Sequence, residues 1–173
     1  AAINAGIPIS KPAHIINQVC GSGLRAVISG YQSIRLGEST NIISGGQENM
    51  SIAPHSIFFR DEKKISEDKL LDTMINDGLM DAFNCYHMGV TAENIAKKFN
   101  ISRQDQDEFA LNSQKKTEVA NDNNKFDDEI IKINQDGTIL NKDEHPRIGL
   151  EIADLKKLKT VFKENGTVTA GNS

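Results

Sequence analysis

Asn17-Gln18-Val19-Cys20-Gly21-Ser22-Gly23-Leu24-Arg25-Ala26 decides how this chain is read. It joins an apolar run to a stretch with helical periodicity. Before it, His14-Ile15-Ile16-Asn17-Gln18-Val19 has the length and composition of a short buried strand. After it, Leu24, Val27, Ile28, Tyr31 and Ile34 recur at the spacing of one helix face. Gly21 and Gly23 allow a sharp reversal and close packing between the two elements. Cys20 is thereby placed at, or just before, a helix N-terminus. The first N–H groups of a helix have no partner within it, and the dipole favours negative charge there. A thiol in such a setting is biased toward the nucleophilic thiolate. A small buried cysteine in a strand-to-helix seam fits the same spacing equally well.

Outward from this stretch, Gly37 is placed to end the helix at its C′ position. Asn41-Ile42-Ile43-Ser44 then reads as a second short buried strand, closed by Gly45-Gly46. Strand, helix and strand of this length imply a parallel pair with a right-handed crossover. The two glycines suit a close backbone approach to the cysteine region or an ordinary turn. From about Ser51 the texture changes, and Arg60 to Lys69 is a charged surface excursion with no clean period.

A helical lobe follows. Met88, Ala92, Ile95, Ala96 and Phe99 share one face, with Glu93, Lys97 and Lys98 opposite. Ser102-Arg103-Gln104-Asp105 resembles a capping box and opens a long helix to about Ala120, with Phe109, Ser113, Lys116 and Ala120 on one side. Asn121-Asp122-Asn123-Asn124 breaks it. Residues 129–133 and 138–140 flank Gln135-Asp136-Gly137 as a hairpin. Leu150, Ile152, Leu155 and Leu158 outline a short last helix with Lys156, Lys157 and Lys159 exposed. Those lysines can attract phosphate, though a solvated helix face accounts for them better.

A chain of 173 residues holds one sizeable core, with room for a second small lobe. Charged residues make up 25% and the net charge is −4, which gives no footprint for nucleic acid or an anionic membrane. No apolar run reaches the ~18 residues of a membrane span, and the N-terminus lacks the features of a signal peptide. The two cysteines make no disulfide framework or metal motif, so a reducing, cytoplasmic setting is expected. His14, His55 and His145 show no ligand spacing, and no metal site is expected. Cys85, among Phe83, Asn84 and Tyr86, reads as an ordinary buried thiol.

The run 17–27, followed by Ser44-Gly45-Gly46-Gln47-Glu48-Asn49-Met50-Ser51, resembles the nucleophile segment of the thiolases. Three later stretches agree in order: Asp77 to Phe83, Tyr86 to Asn94 and Gly166 to Ser173. The likeness covers essentially the whole chain and is nearest to the biosynthetic, acetyl-CoA-condensing branch. It implies an α/β fold. Residues 1–50 would belong to a thiolase N-terminal domain, in which a strand-helix-strand unit carries the nucleophile. Residues 51–173 would form a mainly helical α+β loop domain for coenzyme A binding and oligomer contacts. The C-terminal domain would be absent. The chain opens without Met and stops where the thiolase pattern runs on, so it reads as a central fragment of a much longer chain.

The resemblance also implies roles. Cys20 would be the nucleophile that holds the acyl group as a thioester, with nearby backbone N–H groups donating to the oxyanion. Leu79, His87 and Met88 would line the pantetheine end of the pocket. Arg147 would lie beside the coenzyme A nucleotide, and Phe162 and Ala170 would be further coenzyme-facing positions. At Asp154 the family often carries a small hydroxylated residue, so no role is transferred. Substrates would be acetyl-CoA and acetoacetyl-CoA, with no tightly bound cofactor, in a homo-oligomer, dimer or tetramer. The second cysteine and the activating histidine of thiolases come from the C-terminal half, so the isolated fragment is expected to be inactive. A longer-chain 3-ketoacyl-CoA thiolase of fatty-acid β-oxidation is the nearest alternative. A cysteine hydrolase is a remote one, because Gly23 and Leu24 stand where papain-like enzymes have a second Cys and an aromatic residue. A non-catalytic acyl-CoA-binding protein is the third.

Overall fold

The helix expected after Cys20 forms as α1, Ser22–Arg35. Gly37, at φ 75°, ends it. Its N–H reaches the carbonyl of Ile34 at 3.1 Å and that of Glu38 reaches Ser33 at 3.0 Å, a Schellman closure that uses the glycine's left-handed backbone. The computed structural model describes residues 1–60 and 70–173. Most of the charged excursion from Arg60 to Lys69 therefore lies outside the described residues.

The flanking strands of the expected strand-helix-strand unit do not form. Residues 14–19 and 41–44 are without ladder pairing apart from a bridge between Gln18 and Cys20, and Ile43 is 88% exposed. A short apolar run can be a buried strand only if neighbouring strands take up its N–H and C=O groups, and the described residues supply none. The 41–44 segment nevertheless lies against α1. A Cβ on Gly30, the one buried residue of the helix, would stand 2.6 Å from Ser44 Oγ and 3.1 Å from Ile42 Cγ2. A Cβ on Gly46 would come to 3.9 Å from Gly23 Cα, so that glycine does approach the cysteine region, whereas Gly45 meets nothing so near.

Two compact units divide at residue 80. The first, residues 1–80, contains α1, a 3-10 turn Met50–Ile52, the two-residue antiparallel strands β1 (His55–Ser56) and β2 (Leu71–Asp72), and a π-helical turn Met74–Leu79. The second, residues 81–173, contains α2 (Met88–Phe99), α3 (Arg103–Asp122), the hairpin β3 (Ile133–Gln135) and β4 (Thr138–Leu140), and α4 (Ile152–Lys156). The buried apolar side chains among the described residues, Ala96, Leu155 and Val168, all lie in this second unit.

The capping box at α3 is complete. Asp105 N–H donates to Ser102 Oγ at 3.1 Å and Ser102 N–H to Asp105 Oδ2 at 3.0 Å. The helix ends within the Asn-rich break, with Asn124 at φ 53° and Lys125 N–H on the carbonyl of Ala120. The hairpin turns through Asp136 (φ 51°) and Gly137 (φ 86°), the left-handed pair of a two-residue type I′ turn. Its first strand is shorter than expected and leaves out residues 129–132.

Three readings of facing need correction. On α2 the covered positions are Gly89, Glu93 and Ala96, while Met88, Ile95 and Phe99 are exposed. On α3 the covered residue is Asp107, with Arg103 and Gln106 partly covered, and Phe109 is 79% exposed. In both helices hydrogen bonding, rather than the apolar stripe, sets the inward face. Cys85 is exposed. It sits at φ 57° in a turn whose N–H groups at Phe83 and Asn84 are taken by Asp81 Oδ1, at 2.8 and 3.1 Å.

Candidate functional site

Cys20 stands one residue before the N-cap of α1, and it is exposed. A tight elbow presents it. Val19 adopts φ 48°, a conformation that costs a β-branched residue about 1–3 kcal/mol. Local hydrogen bonds hold it there. Asn17 Oδ1 accepts from Val19 N–H at 3.1 Å. Ser22 Oγ accepts from Gln18 N–H at 2.8 Å and donates to the carbonyl of Val19 at 2.7 Å. Gly21 N–H and Ser22 N–H return to the carbonyls of Gln18 and Val19 at 3.0 and 3.1 Å. The N–H groups of Cys20, Gly23 and Leu24 have no acceptor among the described residues. The result is a thiol on a sharp, strained turn beside unengaged backbone donors, which suits a nucleophile whose acyl adduct carries a developing oxyanion. Leu79, in the same unit, closes the π-helical turn and is partly covered.

The second unit gathers another group. The Asp81 turn leads into α2. The Asn84 side-chain amide, then the N–H groups of Phe83 and Asn84, hold the Asp81 carboxyl below its ordinary range. His87 is the N-cap of α2, and its Nδ1 accepts from Gly89 N–H at 3.0 Å. That bond leaves the other nitrogen, Nε2, to carry the proton of the neutral ring. The Phe162 ring stacks on His87 with centroids 4.6 Å apart and planes 19° from parallel. It also lies directly on Gly89, where any Cβ would overlap it. His87 and Phe162, separated by most of the unit's sequence, are thus brought into contact. Met88 follows His87 and is 48% exposed. Ala170 is exposed beside the buried Thr169. Arg147 donates its N–H to Gln114 Oε1 at 2.9 Å, and its side chain is exposed. Lys156 and Lys159 are exposed, and Lys157 pairs with Asp154 at 3.1 Å.

Sequence reasoning missed the polar network beneath these residues. Glu93 is 5% exposed and Asp107 1%. Glu93 Oε1 accepts from the N–H groups of Thr167 and Val168, each at 2.7 Å, and Oε2 accepts from Thr167 Oγ1 at 3.0 Å. Burial raises its pKa, but the amides of Val168 and Thr167, the Thr167 hydroxyl and Lys163 outweigh it and hold the carboxyl below its ordinary value. Asp107 accepts from Arg103 Nε at 2.8 Å and from Asn172 Nδ2 at 2.9 Å. Arg103 donates onward to the carbonyls of Leu155 and Leu158. One signal was available. Gly89 and Ala96 flank Glu93 at the spacing of one helix face, and small residues around a charge mark a close approach.

Among the described residues no helix is long and apolar enough to cross a membrane. The family model for the thiolase N-terminal domain matches residues 1–173. The acetyl-CoA acetyltransferase of Paracoccus denitrificans is 48% identical over 177 residues, covering 100% of this chain and 45% of that protein. The acetyl-CoA acetyltransferase of Rhizobium meliloti (strain 1021) matches at the same identity and coverage. A probable acetyl-CoA acyltransferase of Staphylococcus aureus (strain COL) is 43% identical over 179 residues, covering 100% of this chain and 46% of its own length. The chain spans less than half the length of these relatives. A match that runs from its first residue to its last, with an exposed cysteine on a strained elbow before α1, places this chain in the thiolase family.

Proposed function

We propose that this chain contributes the acyl-carrying nucleophile and part of the coenzyme A site of an acetyl-CoA C-acetyltransferase. Cys20 Sγ attacks the carbonyl of acetyl-CoA. The C–S bond to coenzyme A breaks, free coenzyme A leaves, and an S-acetyl-cysteine remains. A second acetyl-CoA, deprotonated at its methyl carbon, attacks that thioester. The new C–C bond gives acetoacetyl-CoA and returns the thiolate. Thiolysis runs the same steps backwards. Splitting one condensation into two transfers lowers the barrier to each.

The observation that carries this reading is the elbow. It exposes Cys20 beside the unengaged N–H groups of Cys20, Gly23 and Leu24, which can receive the charge that develops on the carbonyl oxygen. The acetyltransferase names of the relatives support it. Residues 1–50 would serve the N-terminal domain and residues 51–173 the loop domain, where Leu79, His87, Met88, Arg147, Phe162 and Ala170 would meet coenzyme A. The substrates are coenzyme A thioesters, the natural assembly is a homo-oligomer, and the location is the cytoplasm. The 173-residue polypeptide alone would not turn over.

The test is direct. The natural protein carrying this sequence is incubated with acetyl-CoA, quenched in acid and digested. Mass spectrometry is expected to find the acetyl group on the Cys20 peptide. Cys20→Ser should lower thiolysis by about 10⁴-fold or more. An acetyl group on another residue, or a Ser variant that keeps wild-type turnover, sinks the reading. A second reading is a longer-chain 3-ketoacyl-CoA thiolase, since the staphylococcal relative is named an acyltransferase and not an acetyltransferase. A thiolysis series over acyl length separates the two.

A further inference from the structure

We infer that Glu93 is a positioning residue for coenzyme A binding, acting through the loop between Val161 and Val168. This rests on the reading above that Phe162 and Ala170 face coenzyme A.

The loop is a closed one. Val161 N–H donates to the carbonyl of Val168 at 3.2 Å, and Thr160 and Thr169 form an antiparallel bridge at its mouth. Its far end turns through Gly166 N–H on the carbonyl of Lys163 at 3.1 Å. It is fastened to α2 at two places. At the helix start, Phe162 rests on His87 and Gly89. One turn further along, Glu93 takes the N–H groups of Thr167 and Val168 and the hydroxyl of Thr167. The carboxylate lies tight against Gly166, where a Cβ would stand 2.8 Å from Glu93 Cδ.

The second fastening fixes where the chain enters the segment that carries Ala170. Thr169 N–H is held by Asn172 Oδ1 at 2.8 Å, and Asn172 is itself tied to Asp107. Glu93 suits this task because every group it faces in the loop is a donor. The Thr167 hydroxyl receives a bond from Gln106 Nε2 at 2.9 Å, so its proton points to Glu93. A glutamine could still serve the two amides but would turn a donor toward that hydroxyl. An aspartate keeps the charge and lacks the reach. Glu93 therefore touches no substrate; it sets the loop that does.

The experiment uses the natural protein and steady-state thiolysis of acetoacetyl-CoA by coenzyme A. Glu93→Ala and Glu93→Asp should raise the KM for coenzyme A about tenfold and Glu93→Gln about threefold, with kcat within about twofold of wild type in each. That split is expected of a residue that governs binding, since partial unfolding lowers kcat and leaves KM alone. If Glu93→Ala fails to fold, the Asp and Gln variants carry the test. A wild-type KM in those two, with or without a lower kcat, overturns the inference. A wild-type protein without thiolysis activity instead overturns the functional reading on which it depends.

Discussion

Gly89 shows how much a missing side chain can do. It lies inside α2, where alanine would favour the helix by about 1 kcal/mol. Yet the Phe162 ring occupies the space its Cβ would need, and that same ring is stacked on His87. Gly89→Ala must push the ring off the imidazole or tilt the helix start, at the usual overpacking cost of about 1–3 kcal/mol. We expect a net loss of stability despite the gain in propensity, read as a lower urea midpoint. The double variant Gly89→Ala, Phe162→Ala should lose less than the sum of the two single changes, because the collision is then gone. A more stable Gly89→Ala protein contradicts the packing described. The family resemblance singled out His87 and Phe162, each by itself, but not their contact. Nothing in the sequence joins a histidine at 87 to a phenylalanine at 162 until the chain has folded.

At the level of elements, termini were easier to read than faces. Gly37, Ser102, Asp105 and the Asp136-Gly137 turn all act within a few residues of sequence, and each does in the structure what its local chemistry dictates. Facing is a long-range property. The apolar stripe of α2 pointed inward by period alone, but the donors of residues 167–168 drew Glu93 to the inside. A carboxylate held this way makes stability depend on pH. Its folded pKa lies below the unfolded value, so its contribution is full above the unfolded pKa and is lost as pH falls through the folded one. Between the two values the unfolded chain binds a proton that the folded chain does not, and acid favours unfolding. Asp81, Asp105 and Asp154 are also held below their ordinary values, so the wild-type curve sums several groups. The Glu93→Gln variant isolates one of them. From about pH 6 down to about 3, its unfolding free energy should fall less steeply than the wild type's. Parallel curves refute the assignment of that slope to Glu93.

Across the whole chain, burial is uneven, and this explains both what was misread and what can be measured. Residues 14–19 and 41–44 have the composition of buried strands, but composition states only that a run can be buried, not which neighbours complete its ladder. In residues 1–80 the buried position among those described is Gly30, and Leu24 of α1 is 70% exposed. In residues 81–173 Ala96, Leu155 and Val168 are buried, as are Glu93, Asp107 and Thr169, whose polar atoms are engaged by hydrogen bonds or by the Arg103 ion pair. Local opening costs more where buried apolar contacts and enclosed hydrogen bonds must be broken together. Amide hydrogen exchange on the 173-residue polypeptide should therefore be slowest at Val168 and in α2 and α3. The interior of α1 should exchange at least about tenfold faster, since its hydrogen bonds have little apolar cover and open by local fraying. Weakening the network should narrow that gap from one side only. Glu93→Ala is expected to speed exchange at Thr167 and in α2 while leaving α1 unchanged. Slower exchange in α1 than in α2, or an equal acceleration of both by Glu93→Ala, would show that stability is shared evenly along the chain and not concentrated around the Glu93 and Asp107 carboxylates.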